Sequence, residues 1–259
     1  MAHLKGEPRA RYVIGMFVRI ARRYDILNTL MSGGRHHAWR RMAVDMALYG
    51  VEHVTPPFNP QPQSQAPAGR ALDIASGTGD FAIELARRPA IGDVVGVDFV
   101  PEMLSVAQPK VAGRVALVTA DAHALPLGDD RFMYATVGFG VRNFVDLPNA
   151  IREMVRVLGP RGRLAILEIV RVDGNGPLAL VFRLYFRYVT PWLGALFAGD
   201  REAYTYLPKS AEGFLSADEL TAVLEDAGLA MVATRKVALG SVAILVGEKP
   251  ASAARTTVN

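Results

Sequence analysis

The stretch Leu72-Asp73-Ile74-Ala75-Ser76-Gly77-Thr78-Gly79-Asp80 carries the first chemistry met along the chain. An apolar run, two glycines and a helical pattern from Phe81 read as a buried strand, a sharp turn and a helix start. Gly77 and Gly79 have no Cβ, so a ligand can lie against their backbone, and the free N–H groups of the following helix favour an anion. About 20 residues on, Val94-Val95-Gly96-Val97 ends in Asp98, an acid placed to hold the two hydroxyls of a ribose. Gly77, Gly79 and Ala82 also satisfy the relaxed dinucleotide pattern G-x-G-x-x-A. Two more acids tilt the reading toward S-adenosylmethionine. Asp73 can face a cationic methionine amino group, and Asp80 follows the second glycine. A pyrophosphate would be repelled there, whereas a zwitterionic sulfonium tolerates both acids.

Two further strand ends extend the pattern. Residues 115–120 read as a third strand ending at Asp121-Ala122, where a carboxylate accepts from an adenine amino group and a backbone N–H donates to the ring. Residues 131–138 read as a fourth strand, ending at Gly138 and followed by Phe139-Gly140-Val141-Arg142-Asn143. Ligands of open α/β sheets bind at the carboxyl ends of the strands.

The elements that must position these residues follow from periodicity. Residues 11–49 are helical, broken near Ser32-Gly33-Gly34. Residues 55–69 are rich in Pro, Gln and Ser and read as an extended linker. A helix from Pro101, a helix over 146–158, a stop at Gly159-Pro160-Arg161-Gly162 and a fifth strand over 163–170 come next. Residues 178–197 are apolar and aromatic but carry Arg183, Arg187 and Pro191, a poor membrane span. They fit a lid, a core helix or a segment lying in a membrane interface. Ser216 and Glu219 form a capping box, and strands over 230–237 and 242–248 close the chain. Such a closing hairpin belongs to methyltransferases and not to dinucleotide-binding dehydrogenases. The expected division is a helical cap over 1–54, the linker, an α/β domain over 70–250 with an apolar insertion over 176–213, and a flexible tail over 251–259.

Bulk properties narrow the function classes. The 259 residues are 51% apolar, enough for a substantial core. A net charge of +4 without a dense basic run gives no reason to expect nucleic-acid binding and leaves only a weak attraction to anionic lipid. No cysteine is present, and the five histidines show no metal-ligand spacing, so no metal is expected. The first residues lack an apolar signal core, which makes a cytoplasmic protein the default.

Several stretches together resemble the UbiE/MenG family, the quinone-biosynthesis C-methyltransferases. They are Tyr24-Asp25 with Asn28, Ser32 and Trp39-Arg40; the glycine loop; Gly96-Val97-Asp98-Phe99 with Pro101-Glu102-Met103-Leu104; Phe139-Gly140-Val141-Arg142-Asn143; and Ala203-Tyr204-Thr205-Tyr206-Leu207-Pro208. The resemblance implies a class I S-adenosylmethionine-dependent methyltransferase fold, α/β and Rossmann-like, with seven strands of which the last is antiparallel. It implies methyl transfer to a ring carbon of a polyprenylated quinol, demethylmenaquinol in menaquinone biosynthesis. By that analogy Asp73, Gly77, Thr78 and Gly79 line the methionine end, Asp98 holds the ribose, and Asp121 and Ala122 meet the adenine. Gly138 stands where the family commonly has a serine. Tyr24, Arg142 and Asn143 would lie near the acceptor ring, with Tyr204 and Tyr206 closing the substrate side. His123, Lys209 and Met133 depart from the family pattern, each where an acid is common.

The acceptor should be the reduced quinol, because loss of a phenolic proton pushes electron density onto the neighbouring ring carbon. Arg142 is a poor base, since guanidinium stays protonated, and suits a phenolate partner or the orientation of a water. His123 has a suitable intrinsic pKa for the base. A benzoquinol or another apolar small molecule is the alternative acceptor, and a non-catalytic cofactor-binding protein is the alternative of another class. A prenylated acceptor lives in the bilayer, so transient membrane-surface contact is expected, with residues 178–197 as the candidate. A homodimer is left open.

Overall fold

The computed structural model describes residues 6–50, 69–111, 113–172, 206 and 210–251. Most of the linker, residues 178–197, Tyr204, Lys209 and residues 252–259 lie outside them, as do the expectations attached to them.

Seven strands form one sheet in the order β3-β2-β1-β4-β5-β7-β6. They are β1 (Gly69–Ile74), β2 (Ile91–Asp98), β3 (Val115–Thr119), β4 (Phe132–Gly138), β5 (Leu158–Ile169), β6 (Ala230–Val237) and β7 (Val242–Glu248). The first five run parallel, and β7 is antiparallel to both β5 and β6. The central strands are buried on both faces, which is why their sequences read as continuous apolar runs rather than alternating ones.

Alternate residues serve opposite layers. Leu72, Ile74, Leu164, Ile166 and Leu245 face α6 (Leu147–Val157) and α7 (Ala217–Asp226). Ala71, Tyr134, Ala165, Leu167 and Val246 face α3 (Arg35–Tyr49) and α4 (Asp80–Ala86). Helix α3 buries an unbroken run from Met42 to Leu48, so it belongs to the layer covering the sheet. Ahead of it, α1 (Gly6–Ile20), a 3₁₀ turn (Ala21–Arg23) and α2 (Tyr24–Ser32) follow one another almost without a break. Ala21 packs on Val100 and Met103, the latter on α5 (Pro101–Val111), so this run lies beside the carboxyl end of β2.

One element differs from the sequence expectation. Gly159 to Gly162 is not a stop; β5 already begins at Leu158. The backbone of Arg161 and Gly162 pairs with Lys249 beyond β7, at 2.8 Å in both directions. Arg161 absorbs the extra residues with a φ of 61°, and the register to β4 shifts there. The capping box of Ser216 and Glu219 is present in both hydrogen bonds. No helix among the described residues is long and apolar enough to cross a membrane.

Candidate active site

At the end of β1 the chain turns through Ala75, Gly77 and Gly79, with φ of 51°, 57° and 84°. At Gly79 the φ favours glycine and space is tight as well, because a Cβ there would stand 3.1 Å from that of Ala107. Asp73 holds this turn from beneath. One carboxylate oxygen accepts from Ser76 Oγ at 2.7 Å and the Ala82 N–H at 3.0 Å, and the other accepts from Thr136 Oγ1 at 2.8 Å. Burial pushes its carboxyl up to about 7, against the pull of those donors. Asp73 therefore serves the loop and does not line the cavity, unlike the sequence expectation that it faces a ligand amino group. Thr78 and Gly79 stand outside the cavity wall too, and the Thr78 hydroxyl donates to Asp25 at 2.5 Å.

Asp98, at the tip of β2, accepts from the N–H of Gly77 at 2.7 Å and of Val100 at 2.8 Å. Burial raises its pKa, and these N–H groups hold part of the rise back. A carboxylate has about four acceptor sites, so capacity remains toward the cavity that Asp98 lines. Beyond β3, Asp121 accepts from His123 twice, from the backbone N–H at 2.9 Å and from Nδ1 at 2.6 Å. Burial alone would raise its pKa, but those two bonds bring it below the usual carboxylate range. His123 Nε2 accepts from the Asp146 N–H at 3.2 Å, so the ring proton is on Nδ1 and both nitrogens are committed. The free base that the sequence suggested at His123 is not offered in this arrangement.

The other wall is aromatic and apolar. Tyr24 packs edge-on against Phe17, and burial raises its pKa although the Arg142 charge draws it back. Asn143 has its carboxamide oxygen bonded by Tyr206 Oη at 3.1 Å, which leaves its amide N–H groups for a ligand. Arg142 does not line the cavity. It is buried, donates to the Phe139 carbonyl at 2.7 Å, and pairs with the fully buried Glu168 at 2.5 Å. Burial alone would lower the guanidinium pKa, and Glu168 more than restores it, so Arg142 stays charged.

A polar network ties the helices to the glycine loop. Lys110 bridges Asp25 and Asp80 at 2.9 and 2.8 Å, and Arg40 pairs with Asp80 at 3.3 Å and with His36. The Arg40 guanidinium lies over the rings of Phe81 and Phe139. His36, His37 and Asp80 bring ligand-type atoms within 4.8 Å of one another, a grouping that sequence spacing did not reveal. The Arg40 charge already sits on two of the three, which disfavours a cation there.

These pieces surround one cavity of about 440 Å³ at the carboxyl ends of β1, β2 and β4. Of the residues singled out from the sequence, Gly77, Asp98, Asp121, Ala122, Gly138, Tyr24, His123 and Asn143 line it, whereas Asp73, Thr78, Gly79 and Arg142 do not. Ala75 and Phe139, both on its wall, hold the left-handed conformation, φ 51° and 57°. Such strain in non-glycine residues concentrates at functional sites. Two acids and several aromatic rings in one lining suit a ligand with hydroxyl and amino donors joined to apolar parts.

Known proteins resemble this chain in sequence and in fold. Residues 5–249 match the family model described as the ubiE/COQ5 methyltransferase family. A demethylmenaquinone methyltransferase of Thermus thermophilus is 43% identical over 238 residues, 91% of this chain and 100% of the relative. The chain belongs to the ubiE/COQ5 methyltransferase family. A ubiquinone/menaquinone biosynthesis C-methyltransferase UbiE of Geotalea daltonii is 37% identical, covering 90% of this chain and 94% of the relative. An S-adenosylmethionine-dependent methyltransferase from Thermotoga maritima, described as a possible histamine N-methyltransferase, shares the fold with a TM-score of 0.59 at 20% identity, covering 91% and 99%. The [4+2]-cyclase SpnF does so with a TM-score of 0.54 at 20% identity over 71% and 76%, a reminder that this fold alone does not fix a reaction.

The protein is thus a methyltransferase of the class I α/β fold. Within this methyltransferase, sequence reasoning missed Glu168, Asp25, Arg40 and His36 as parts of the site's support. Glu168 left a signal: it is the one charge in the apolar run Leu164-Ala165-Ile166-Leu167-Glu168-Ile169. Asp25 and Arg40 stood only within the family-like stretches, and their partners Thr78, Lys110 and Asp80 lie far off in sequence, whereas His36 meets Arg40 one helical turn away, a spacing that marks nothing by itself.

Proposed function

We propose that this methyltransferase uses S-adenosylmethionine to methylate a ring carbon of a polyprenylated quinol, demethylmenaquinol, in menaquinone biosynthesis. The observation that supports the reading most is the cavity's mixed lining. Asp98 and Asp121 share it with the rings of Phe17, Tyr24, Phe139 and Phe144 and the carboxamide of Asn143. The names of the relatives point the same way.

The residues fit the cofactor. Asp98 would accept from the ribose hydroxyls, Asp121 and the Ala122 backbone would meet the adenine, and Gly77 and Gly138 present bare backbone to it. When bound, S-adenosylmethionine supplies an electrophilic methyl group. The protein's part is orientation and exclusion of water, and alignment of that kind is worth about 7–11 kcal/mol. Tyr24, kept protonated by burial, and the Asn143 amide are donors suited to a quinol oxygen as it gains negative charge. That charge is what raises electron density on the neighbouring ring carbon. Arg142 acts from behind this wall as a positioning residue: it holds the turn that carries Asn143 and keeps a fixed positive charge near Tyr24.

The test is methyl transfer from labelled S-adenosylmethionine to a short-chain demethylnaphthoquinol kept reduced, with a benzoquinol beside it. Label in the naphthoquinol alone is the expected result. Label in both would widen the acceptor class to quinols in general. Cofactor binding with no label in either would overturn the quinol reading.

A further inference from the structure

His123 lines the cavity beside Asp121 and Ala122, and both of its ring nitrogens are committed. Its Nδ1–H and its backbone N–H donate to the same oxygen of Asp121, Oδ1, at 2.6 and 2.9 Å. That leaves Oδ2 for the cavity that Asp121 also lines. The Asp121 side chain is 47% exposed, and rotation about its Cβ–Cγ bond is soft. Held by the backbone N–H alone, the carboxylate could turn toward water. The bond from Nδ1 to an ionised acceptor is of the stronger kind and fixes that rotation.

The ring that makes this bond is itself held. Nε2 accepts from the Asp146 N–H at 3.2 Å, which keeps the ring proton on the Nδ1 side. Asp146 is the N-cap of α6, accepting from the Asn149 N–H at 3.1 Å, and the Asn149 side chain donates back to the His123 carbonyl at 3.2 Å. Phe144 meets the ring edge-on, with 5.7 Å between centroids. A line of contacts thus runs from the start of α6, through the imidazole, to one carboxylate on the cavity wall.

We propose that His123 is a positioning residue for nucleobase selection: it fixes Asp121 so that Oδ2 meets the exocyclic amino group of a 6-aminopurine. The inference rests on the reading that Asp121 and the Ala122 backbone meet the adenine of S-adenosylmethionine. An amino group donates to Oδ2, whereas a hydrogen in its place leaves an ionised oxygen desolvated and unpaired. In this role His123 touches no reacting atom.

Calorimetry of the full chain tests this with the reaction's product, S-adenosylhomocysteine, and its 6-deamino form, in which hydrogen replaces the amino group. Wild type should prefer the amino compound by about tenfold or more. A glutamine amide reaches about as far as Nε2, so His123→Gln keeps an acceptor for the Asp146 N–H and loses the donor to Asp121. Its preference should fall to about twofold. An asparagine amide stands about where Nδ1 does, so His123→Asn restores that donor and should keep the wild-type preference. The readout is a ratio of two affinities on one protein, so a general loss of stability or of binding cancels from it. A wild-type ratio in His123→Gln overturns the proposal, and so does an equal loss in both variants, which would assign the effect to the ring's packing. A wild type that binds both compounds equally overturns the placement of Asp121 at the adenine and this inference with it. A wild type that binds neither overturns the cofactor reading itself.

Discussion

A Cβ added at Gly138 would lie 2.6 Å from two carbons of the Phe81 ring. The serine expected at this position from the family resemblance has no room here, because the ring has filled it. Phe81 is buried and lies under the Arg40 guanidinium, so it cannot swing aside freely. Gly138→Ser should therefore destabilise the protein by about 1–3 kcal/mol through overpacking. Phe81→Leu beside it should return part of that loss, making the double variant about 1 kcal/mol better than the sum of the singles. Urea unfolding of the four proteins measures this, and additive singles would show that Phe81 is not the obstacle. Residues of this kind mark the limit of what the chain betrays. The glycine loop, Asp98 and Asp121 were legible because their spacing is local and each closes a strand. Phe81 read only as the first apolar residue of a helix, and its contact with Gly138 spans the sheet.

Between elements, the ion pair of Arg142 and Glu168 joins the 3₁₀ turn after β4 (Val141–Asn143) to the end of β5. Glu168 also accepts from the Arg142 backbone N–H at 3.2 Å and from the Ile169 N–H at 2.7 Å, so the carboxylate organises both strand ends. Removing one partner leaves an uncompensated charge in a buried site. Arg142→Ala should thus cost about 3–5 kcal/mol of stability, whereas Arg142→Met with Glu168→Gln should recover much of it. Denaturant midpoints decide the matter, since Arg142→Ala with a wild-type midpoint would mean that Glu168 finds another counterion. Any turnover measured on Arg142→Ala reports this loss together with its effect on Asn143. Elements themselves were readable from periodicity, the capping box and the closing hairpin above all. The exception, β5 running through Gly159-Pro160-Arg161-Gly162, was hidden because glycine and proline signal a turn, while the pairing with Lys249 that overrides them lies far along the chain.

At the scale of the whole molecule, α2 and α3 are fastened to the glycine loop and α5 by a partly buried polar network, and one member is a histidine whose pKa the fold displaces. His36 has its pKa lowered to about 4, by burial first and then by the charges of Arg40 and His37. The neutral ring accepts from Arg40 on Nδ1 and reaches Thr29 Oγ1 with Nε2 at 3.2 Å. In the unfolded chain it takes a proton near pH 6.5, and in the folded protein only near 4. Between these values the unfolded state binds more protons, so this group favours folding more strongly as pH rises from 4 to 6.5 and is level above that. The span corresponds to about 3 kcal/mol. Asp73 works in the opposite direction over an overlapping window, because its raised pKa favours folding at low pH and loses that contribution as pH climbs toward 7. The wild-type curve alone would therefore be flattened, and the difference between wild type and His36→Gln isolates the histidine. That difference should grow steadily from pH 4 to 6.5 and then hold constant, read by urea unfolding at a series of pH values. A difference independent of pH would mean that His36 has the same pKa in the folded and unfolded states, and that burial and the Arg40 charge do not depress it.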